Sequence, residues 1–228
     1  MRIRKKKWAS GELLNSKIYI SDPVEHVNKW SSLFKNDNPI SLELGCGKGI
    51  FIAQYALEHP NRNFIAIDIK TDILAVAHRN ILSTFHLKSQ EPSNILLVPY
   101  DIRLFQNLFY DAPIVEEIYM NFPNPWYKER HHKRRLTHPR QLLQYSKVLD
   151  DDGAIHFKTD DRQFFTDTLG YLKEANFIVK YSNIDEDNTY EAENTLPQSE
   201  HEIMYRSKGV SIYYLKAVKE KETKHSRD

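Results

Sequence analysis

Apolar residues in this chain fall in short blocks of two alternating kinds. The first kind is a compact apolar run: ISLEL at 40–44, NFIAIDI at 63–69, NILLVPY at 94–100 and IVEEIYMNF at 114–122. Runs with so little polar alternation predict strands buried on both faces of a sheet. The second kind spaces its apolar residues three and four apart, in IFIAQYALEH from Ile50 to the stop at Pro60 and in DILAVAHRNILSTFHL at 72–87. That spacing predicts helices. Further on the pattern predicts a helix over 139–148, a strand at GAIHFKT (153–159) and a helix over 161–176. Two late strands follow, FIVKYSN and VSIYYLKAV, separated by about 25 polar and acidic residues. A short helix is expected earlier, in DPVEHVNKWSSLF from Asp22. Alternating strand and helix predict an α/β fold, a doubly wound and mostly parallel sheet with a C-terminal antiparallel strand. The domain is expected over 21–218, behind a basic, flexible arm at 1–20 and ahead of a polar tail at 219–228.

In such sheets ligands sit beyond the carboxyl ends of the strands, where the strand order reverses. The residues that end the strands here are therefore the candidates. LELGCGKG at 42–49 closes the first strand with three of the chain's seven glycines, in the order Glu43, Gly45, Gly47, Gly49. Glycines allow positive φ and close backbone approach, and the helix that follows presents free N–H groups. The dinucleotide fingerprint would need its third glycine at Ile50, and no Lys-Ser or Lys-Thr pair completes a P-loop. Asp68 ends the second strand, where an acid hydrogen-bonds a ribose diol at about 1.5–3 kcal/mol. Asp101 follows the third strand, placed to meet a base or an amino group. The alternative for these residues is a tight turn with capping acids.

Composition changes the picture little. The chain has 228 residues, 40% of them hydrophobic, and the single cysteine, Cys46, cannot form an internal disulfide. A reducing, cytoplasmic setting fits that usage. No apolar run approaches the ~20 residues that span a bilayer, so no membrane association is expected. Net charge is only +1, which excludes a globally basic nucleic-acid binder, but the charge is segregated. KKK at 5–7 and KERHHKRR at 128–135 are basic, whereas DDD at 150–152 and the stretch 184–202 are acidic. The basic run lies in the loop after the fourth strand, NFPNPWYKERHHKRRLTHP, where two prolines stiffen the chain and Trp126 offers a stacking face. Beside a cofactor cleft, such cations neutralise phosphates and such rings stack bases. The candidates for the backbone contacts are Arg130, Lys133, Arg134 and Arg135. His131, His132 and His138 have no further ligand at metal-binding spacing, so no metal is expected. Cys46 reads as a small spacer.

The glycine segment with Glu43, Asp68 and Asp101 resembles the class I S-adenosylmethionine-dependent methyltransferases, whose sheet is Rossmann-like. NFPNPWYKERHHKRRLT with GAIHFKTDDRQFF resembles, more specifically, the bacterial tRNA (guanine-N7-)-methyltransferase family. The likeness runs from RIRKKKWA through KWSSLFKNDNPISLELGCGKG to SEHEIMYRSKGVSIYY, nearly the whole chain. It implies transfer of a methyl group from S-adenosylmethionine to N7 of guanine 46, by tRNA numbering, in the variable loop. Carried over by position, it assigns the cofactor to Glu43, Gly45, Gly47, Asp68, Asp101 and Asn124. It assigns the substrate to Lys128, Asp160, Ser199, Glu200, His201 and Glu202. Asp160 and Glu202 keep a second reading as ordinary structural acids, Asp160 as the cap of the helix after it. Monomer and homodimer stay open.

Two positions depart from the family pattern. Asn124 stands where the family usually has a catalytic or cofactor-contacting aspartate, and Tyr127 replaces a proline. Asn keeps an acceptor oxygen but gives up the charge. Guanine N7 needs no proton removed before attack, so slower but retained activity is expected. An exocyclic-amine methyltransferase and a catalytically impaired RNA-binding protein are the alternatives.

Overall fold

The computed structural model describes residues 8–110, 114–185 and 196–220. A seven-stranded sheet forms its centre, built from β1 (Ile40–Leu44), β2 (Asn63–Asp68), β3 (Ile95–Pro99), β4 (Val115–Asn121), β5 (Leu149–Thr159), β6 (Phe177–Asp185) and β7 (Ile212–Lys219). The strand order is β3-β2-β1-β4-β5-β7-β6. Strands β1 to β5 pair in parallel, and β7 runs antiparallel to both β5 and β6. The doubly wound, mostly parallel sheet with a C-terminal antiparallel strand is thus the fold that the alternation of apolar runs implied.

Six helices accompany the sheet among the described residues: α1 (Ala9–Leu14), α2 (Ile50–Glu58), α3 (Thr71–His86), α4 (Pro139–Val148), α5 (Arg162–Glu174) and α6 (Glu200–Arg206). Two buried apolar clusters lie on its two faces. One joins α1, α2 and α3 to the sheet through Leu13, Phe51, Phe64 and Tyr119. The other takes in Leu42, Ile118, Tyr145, Phe157 and Phe164 on the side of α4 and α5. Chain order reverses direction between β1 and β4, and that crevice is where the site lies.

The N-terminal region corrects two expectations. Residues 8–20 are not a loose arm, although 1–7 lie outside the described residues. Ala9 and Leu13 are fully buried, and Glu12 accepts from Arg79 on α3 while Arg79 also covers Trp8. The chain then runs along the edge of β3: Leu97 donates to Ile18 O at 2.7 Å and Ile20 donates to Leu97 O at 3.0 Å. A sheet edge that would otherwise expose unpaired groups is covered. The basic residues hid this, because the buried apolar signal is only Ala9 and Leu13 in a six-residue helix. The helix expected from Asp22 is instead a pair of 3-10 turns, Pro23–His26 and Trp30–Leu33. Trp30 anchors them by donating its indole N–H to Leu108 O at 2.8 Å.

The late region brings a further correction. Within the polar stretch between the last two strands, a helix (α6) forms over Glu200–Arg206, capped by the Ser199 hydroxyl. Residues 186–195 of that stretch and 221–228 of the tail lie outside the described residues, while Lys219 still belongs to β7.

Replacing Leu13 with Ala should cost about 3 kcal/mol, as for a fully buried leucine. Urea denaturation would measure it, and an unchanged midpoint would mean that α1 does not dock.

Candidate active site

A cleft of about 790 Å³ opens at the carboxyl ends of β1, β2, β3 and β4. That size suits a small-molecule cofactor. It gathers the expected Glu43, Gly45, Gly47, Asp68, Asp101, Asn124, Arg134, Ser199, Glu200 and His201 on one wall or another.

The glycine loop is held from β2. The amides of Gly45 and Cys46 both donate to Ile67 O, at 2.8 and 3.0 Å. Asp68 Oδ2 accepts from Gly47 N at 3.1 Å and Oδ1 from Lys70 N at 2.9 Å. Each oxygen retains a lone pair for a ligand hydroxyl. Gly49 is required on two counts: its φ is +68°, and an added Cβ would meet the Cβ of Ala77 at 2.9 Å, where α2 crosses α3. Cys46 is buried, and burial pushes its thiol well above the ordinary range, with the charges of Glu43 and Asp68 adding to the effect. It is a packed spacer and no nucleophile.

Glu43 is the unusual group. It is 2% exposed, on β1, an interior strand of the sheet. Asn121, at the end of β4, donates to its Oε1 at 3.1 Å. Its Oε2 is buried with no hydrogen-bond partner among the described residues. Burial raises its pKa to about 8, with a smaller push from Asp68 and partial relief from Asn121. A carboxylate held this way is short of a donor or a positive charge. Asn121 was not among the expected residues. Its signal was its place as the last residue of an apolar run, obscured by the asparagine three residues later.

Asp101 is differently placed. Arg103 doubles back on it, with Nε at 2.9 and 3.0 Å from the two carboxylate oxygens. That hydrogen-bonded guanidinium holds the Asp101 pKa below its usual value. Apolar walls complete the cleft: Ile69 is 57% exposed there, opposite Ile102 on the turn after Asp101.

The loop after β4 takes up strained backbone, with φ of +50° at Phe122 and +48° at Trp126. Such conformations persist only where neighbours hold them. Phe122 N donates to Lys158 O at 2.8 Å, and Trp126 N to the side-chain oxygen of Asn124 at 2.9 Å. Asn124 therefore closes a side-chain turn with its acceptor oxygen. Phe122 stacks with His201 at 6.1 Å and lies against Tyr205 at 5.6 Å, so α6 meets this loop through rings. Lys48 joins α6 to the glycine loop through Glu200 at 2.6 Å.

Two expected contacts are relocated by the structure, and one alternative falls. Arg135 is 3% exposed and cannot face RNA phosphates. Its Nε donates to Pro125 O at 2.6 Å, its Nη1 to Asp167 at 2.6 Å, and its guanidinium covers Phe164. It is a strut under the loop. Glu202 is 1% exposed and does not line the cleft. Lys158 donates to one of its oxygens at 2.8 Å and Arg206 to the other at 3.1 Å. The pair ties α6 to β5, and Lys158 and Arg206 together partner both oxygens of a buried carboxylate that would otherwise stand uncompensated. Asp160 is half-buried against Tyr205, whose pKa burial and then the Asp160 charge push up. It does not cap α5; Asp161 does, accepting from Phe164 N at 2.7 Å. Lys128 and Arg130 are exposed beside the cleft, outside its lining, and Lys133 lines a second one. Among the described residues no three His, Cys, Asp or Glu side chains cluster as metal ligands, and no helix is long and apolar enough to cross a membrane.

Comparison with known proteins points the same way as the geometry. Residues 37–215 match a family profile described as "Putative methyltransferase". The chain is 45% identical over 220 residues to a tRNA (guanine-N(7)-)-methyltransferase of Clostridium beijerinckii, covering 96% of this chain and all of that protein. An enzyme of the same name from Clostridium perfringens is 46% identical over the same share of both chains. Among solved structures, the 16S rRNA methyltransferase KamB superposes with a TM-score of 0.60 at 12% identity, covering 85% of this chain and 94% of that one. A 16S rRNA (adenine(1408)-N(1))-methyltransferase mutant from Catenulisporales acidiphilia gives 0.58 at 14% identity, over 89% and 95%. These two establish the fold alone.

The ionisation of Glu43 gives a test. The unfolded chain ionises its glutamates near about 4.3, whereas folded Glu43 keeps its proton up to about 8. The folded state thus binds more protons in that window, and Glu43 lowers stability as pH rises through it, by at most about 1.4 kcal/mol per pH unit. Glu43→Gln should remove that slope. In urea denaturation of the ligand-free protein, the variant should gain on the parent from pH 5 to pH 8. A gap independent of pH would contradict a protonated Glu43.

Proposed function

The chain belongs to the tRNA (guanine-N(7)-)-methyltransferase family, and from that premise we propose that it methylates N7 of guanine in the variable loop of tRNA, at guanine 46 in tRNA numbering, using S-adenosylmethionine. The observation that carries the reading is the continuity of one cleft. It runs from a buried carboxylate lacking a donor, Glu43, to a strained and braced loop that bears Asn124 and Trp126.

The residues present fit the cofactor. The unpartnered oxygen of Glu43 favours a cationic, donor-rich group, the oxygens of Asp68 have lone pairs left for ribose hydroxyls, and Ile69 and Ile102 offer apolar surface to a base. Gly45 and Gly47 give it bare backbone, and Asp101 presents a fixed negative edge. When bound, S-adenosylmethionine supplies an electrophilic methyl group.

What the chain must then do is orient. Guanine N7 carries its own in-plane lone pair, so attack waits on no general base, and placing the reactants accounts for the catalysis. Asn124 serves that purpose by fixing Trp126, not by removing a proton. Its oxygen accepts from Trp126 N and keeps one lone pair, so what argues against the amine-methylating alternative is the guanine-N7 naming of relatives that match the whole chain. Asp160, Lys128 and the exposed residues of α6, Glu200 and His201, flank the entrance as substrate contacts; a carboxylate there suits the N1–H and N2 donors that distinguish guanine from adenine. Glu202, Ser199 and Arg135 contribute indirectly, by holding α6 and the loop.

Mass spectrometry of nucleosides from unmodified tRNA, incubated with the protein and S-adenosylmethionine, should show 7-methylguanosine. Asn124→Asp keeps the acceptor and should stay within about threefold of the parent. Asn124→Ala frees the loop and should lower kcat by about 10- to 100-fold, the range expected for a misplaced reactant. Methyladenosine in the product would overturn the assignment. Turnover by the aspartate variant alone would mean that the negative charge, and not the turn, is what position 124 must supply.

A further inference from the structure

A second cleft, of about 520 Å³, adjoins the first and shares Arg103 and Arg134 with its wall. Besides these it is lined by Lys133, by Arg140 in the first turn of α4, by three glutamines and by Leu143. Four cations thus face one concavity whose lining contains no carboxylate. In a chain of net charge +1 this is a marked local excess. Among the described residues Lys133, Arg134 and Arg140 form no ion pair with an acid, whereas Arg135, next in sequence, is buried in one. Arg134 lies over Trp126, its guanidinium carbon 5.1 Å from the ring centroid, so it is placed between the two clefts. Arg103 gives Nε and Nη2 to Asp101 and keeps Nη1 donors for another acceptor.

We propose that this second cleft is a binding site for the phosphodiester backbone of the RNA, with Lys133, Arg134, Arg140 and Arg103 as its cations. The inference rests on the reading of tRNA as substrate, and it extends the backbone contacts from the basic loop to α4 and to the turn after β3. A concave cationic surface contacts successive phosphates without reading bases, while the neutral amides of Gln106 and Gln144 add donors to phosphate oxygens; Gln141 is buried and donates inward to Ile102 O. Because Arg103 and Arg134 belong to both walls, a strand whose guanosine enters the first cleft has its neighbouring phosphates beside the second.

The test is tRNA binding by fluorescence anisotropy across a salt series, a measurement that needs no turnover. Neutralising Lys133 and Arg140 together, as Lys133→Gln with Arg140→Gln, should weaken binding by about tenfold at physiological salt. The slope of log K against log[salt] should flatten by about 1.4 to 1.8, since each lost phosphate contact removes about 0.7 to 0.9. Each single variant should flatten it by about half as much. Neither residue lines the first cleft, so S-adenosylmethionine binding by calorimetry should stay at the parent value and report an intact fold. Lys133→Arg with Arg140→Lys should restore the slope. Lys88→Gln, an exposed change beyond α3, should leave it unmoved. Parent-like affinity and slope in the neutralised variants would overturn the proposal. If the parent makes no 7-methylguanosine, the activity reading falls alone, and the salt slopes still decide the phosphate site.

Discussion

A carboxylate without water stands at the point where the sheet reverses. Glu43 lies on a fully buried strand, flanked by β2 and β4, with one oxygen bound by Asn121 and the other without a partner among the described residues. Burying such a group costs several kcal/mol unless it is neutralised or partnered. The protein meets that cost by holding the proton, and the cost sets what the cleft can accept. A phosphate would meet a glutamate and an aspartate in the same cleft, as well as Asp101. A cation or a donor meets an acceptor already desolvated and already aimed. The glycines before α2 thus serve a different chemistry from the phosphate cradles they resemble, and the acids around them are what separates the two.

Buried charge does a second job further out. The large side chains of the loop after β4 and of α6, Phe122, Trp126 and Tyr205, are only partly buried, yet both segments must hold their positions at the cleft mouth. Arg135 reaches under the loop to Pro125 O and ends on Asp167 of α5. Lys158 reaches from β5 to Glu202, which Arg206 also grips. Each is a long side chain whose directional bonds fix a segment that nonpolar contact would leave free to slide. The net stabilisation from such pairs is small, because desolvation offsets most of the attraction, but breaking one leaves a buried charge alone. Their value here is in geometry.

Periodicity made the sheet legible, because apolar runs and helical spacing follow directly from burial. The strand ends were legible for the same reason: residues at the carboxyl edge fall at or within two residues of the end of each strand, which is how Glu43, Asp68 and Asp101 could be named. What periodicity does not carry is which polar side chain turns inward. KERHHKRR reads as one cationic face, yet Arg135 is buried, Arg134 lies over Trp126, and Lys133 faces a different cleft. Their difference is set by partners distant in sequence, Asp167 and Phe164 on α5. Glu202 failed in the same way, since its partner Lys158 is 44 residues earlier. Asn121 and Arg103 went unnamed because each acts on a neighbour's carboxylate and shows no motif of its own. Helix α1 was hidden by its basic surroundings and by its shortness.

Position 124 shows how the levels connect. An aspartate is the family's usual residue there, and the natural inference from its loss is a loss of catalysis. The side-chain turn gives another account. What the backbone asks of residue 124 is an oxygen that accepts from Trp126 N, and asparagine supplies that as well as aspartate does. The negative charge that asparagine lacks would act on the cationic methylated guanine, but charge acts over several ångströms, whereas a hydrogen bond depends on one atom. Of the acids that line the same cleft, Asp101 and Glu200 are paired with Arg103 and Lys48, while Asp68 takes part in no ion pair among the described residues and supplies negative potential there. A substitution that preserves the atom the fold needs, in a site where the field has another source, is therefore one that a methyltransferase acting on an already basic nitrogen can accommodate.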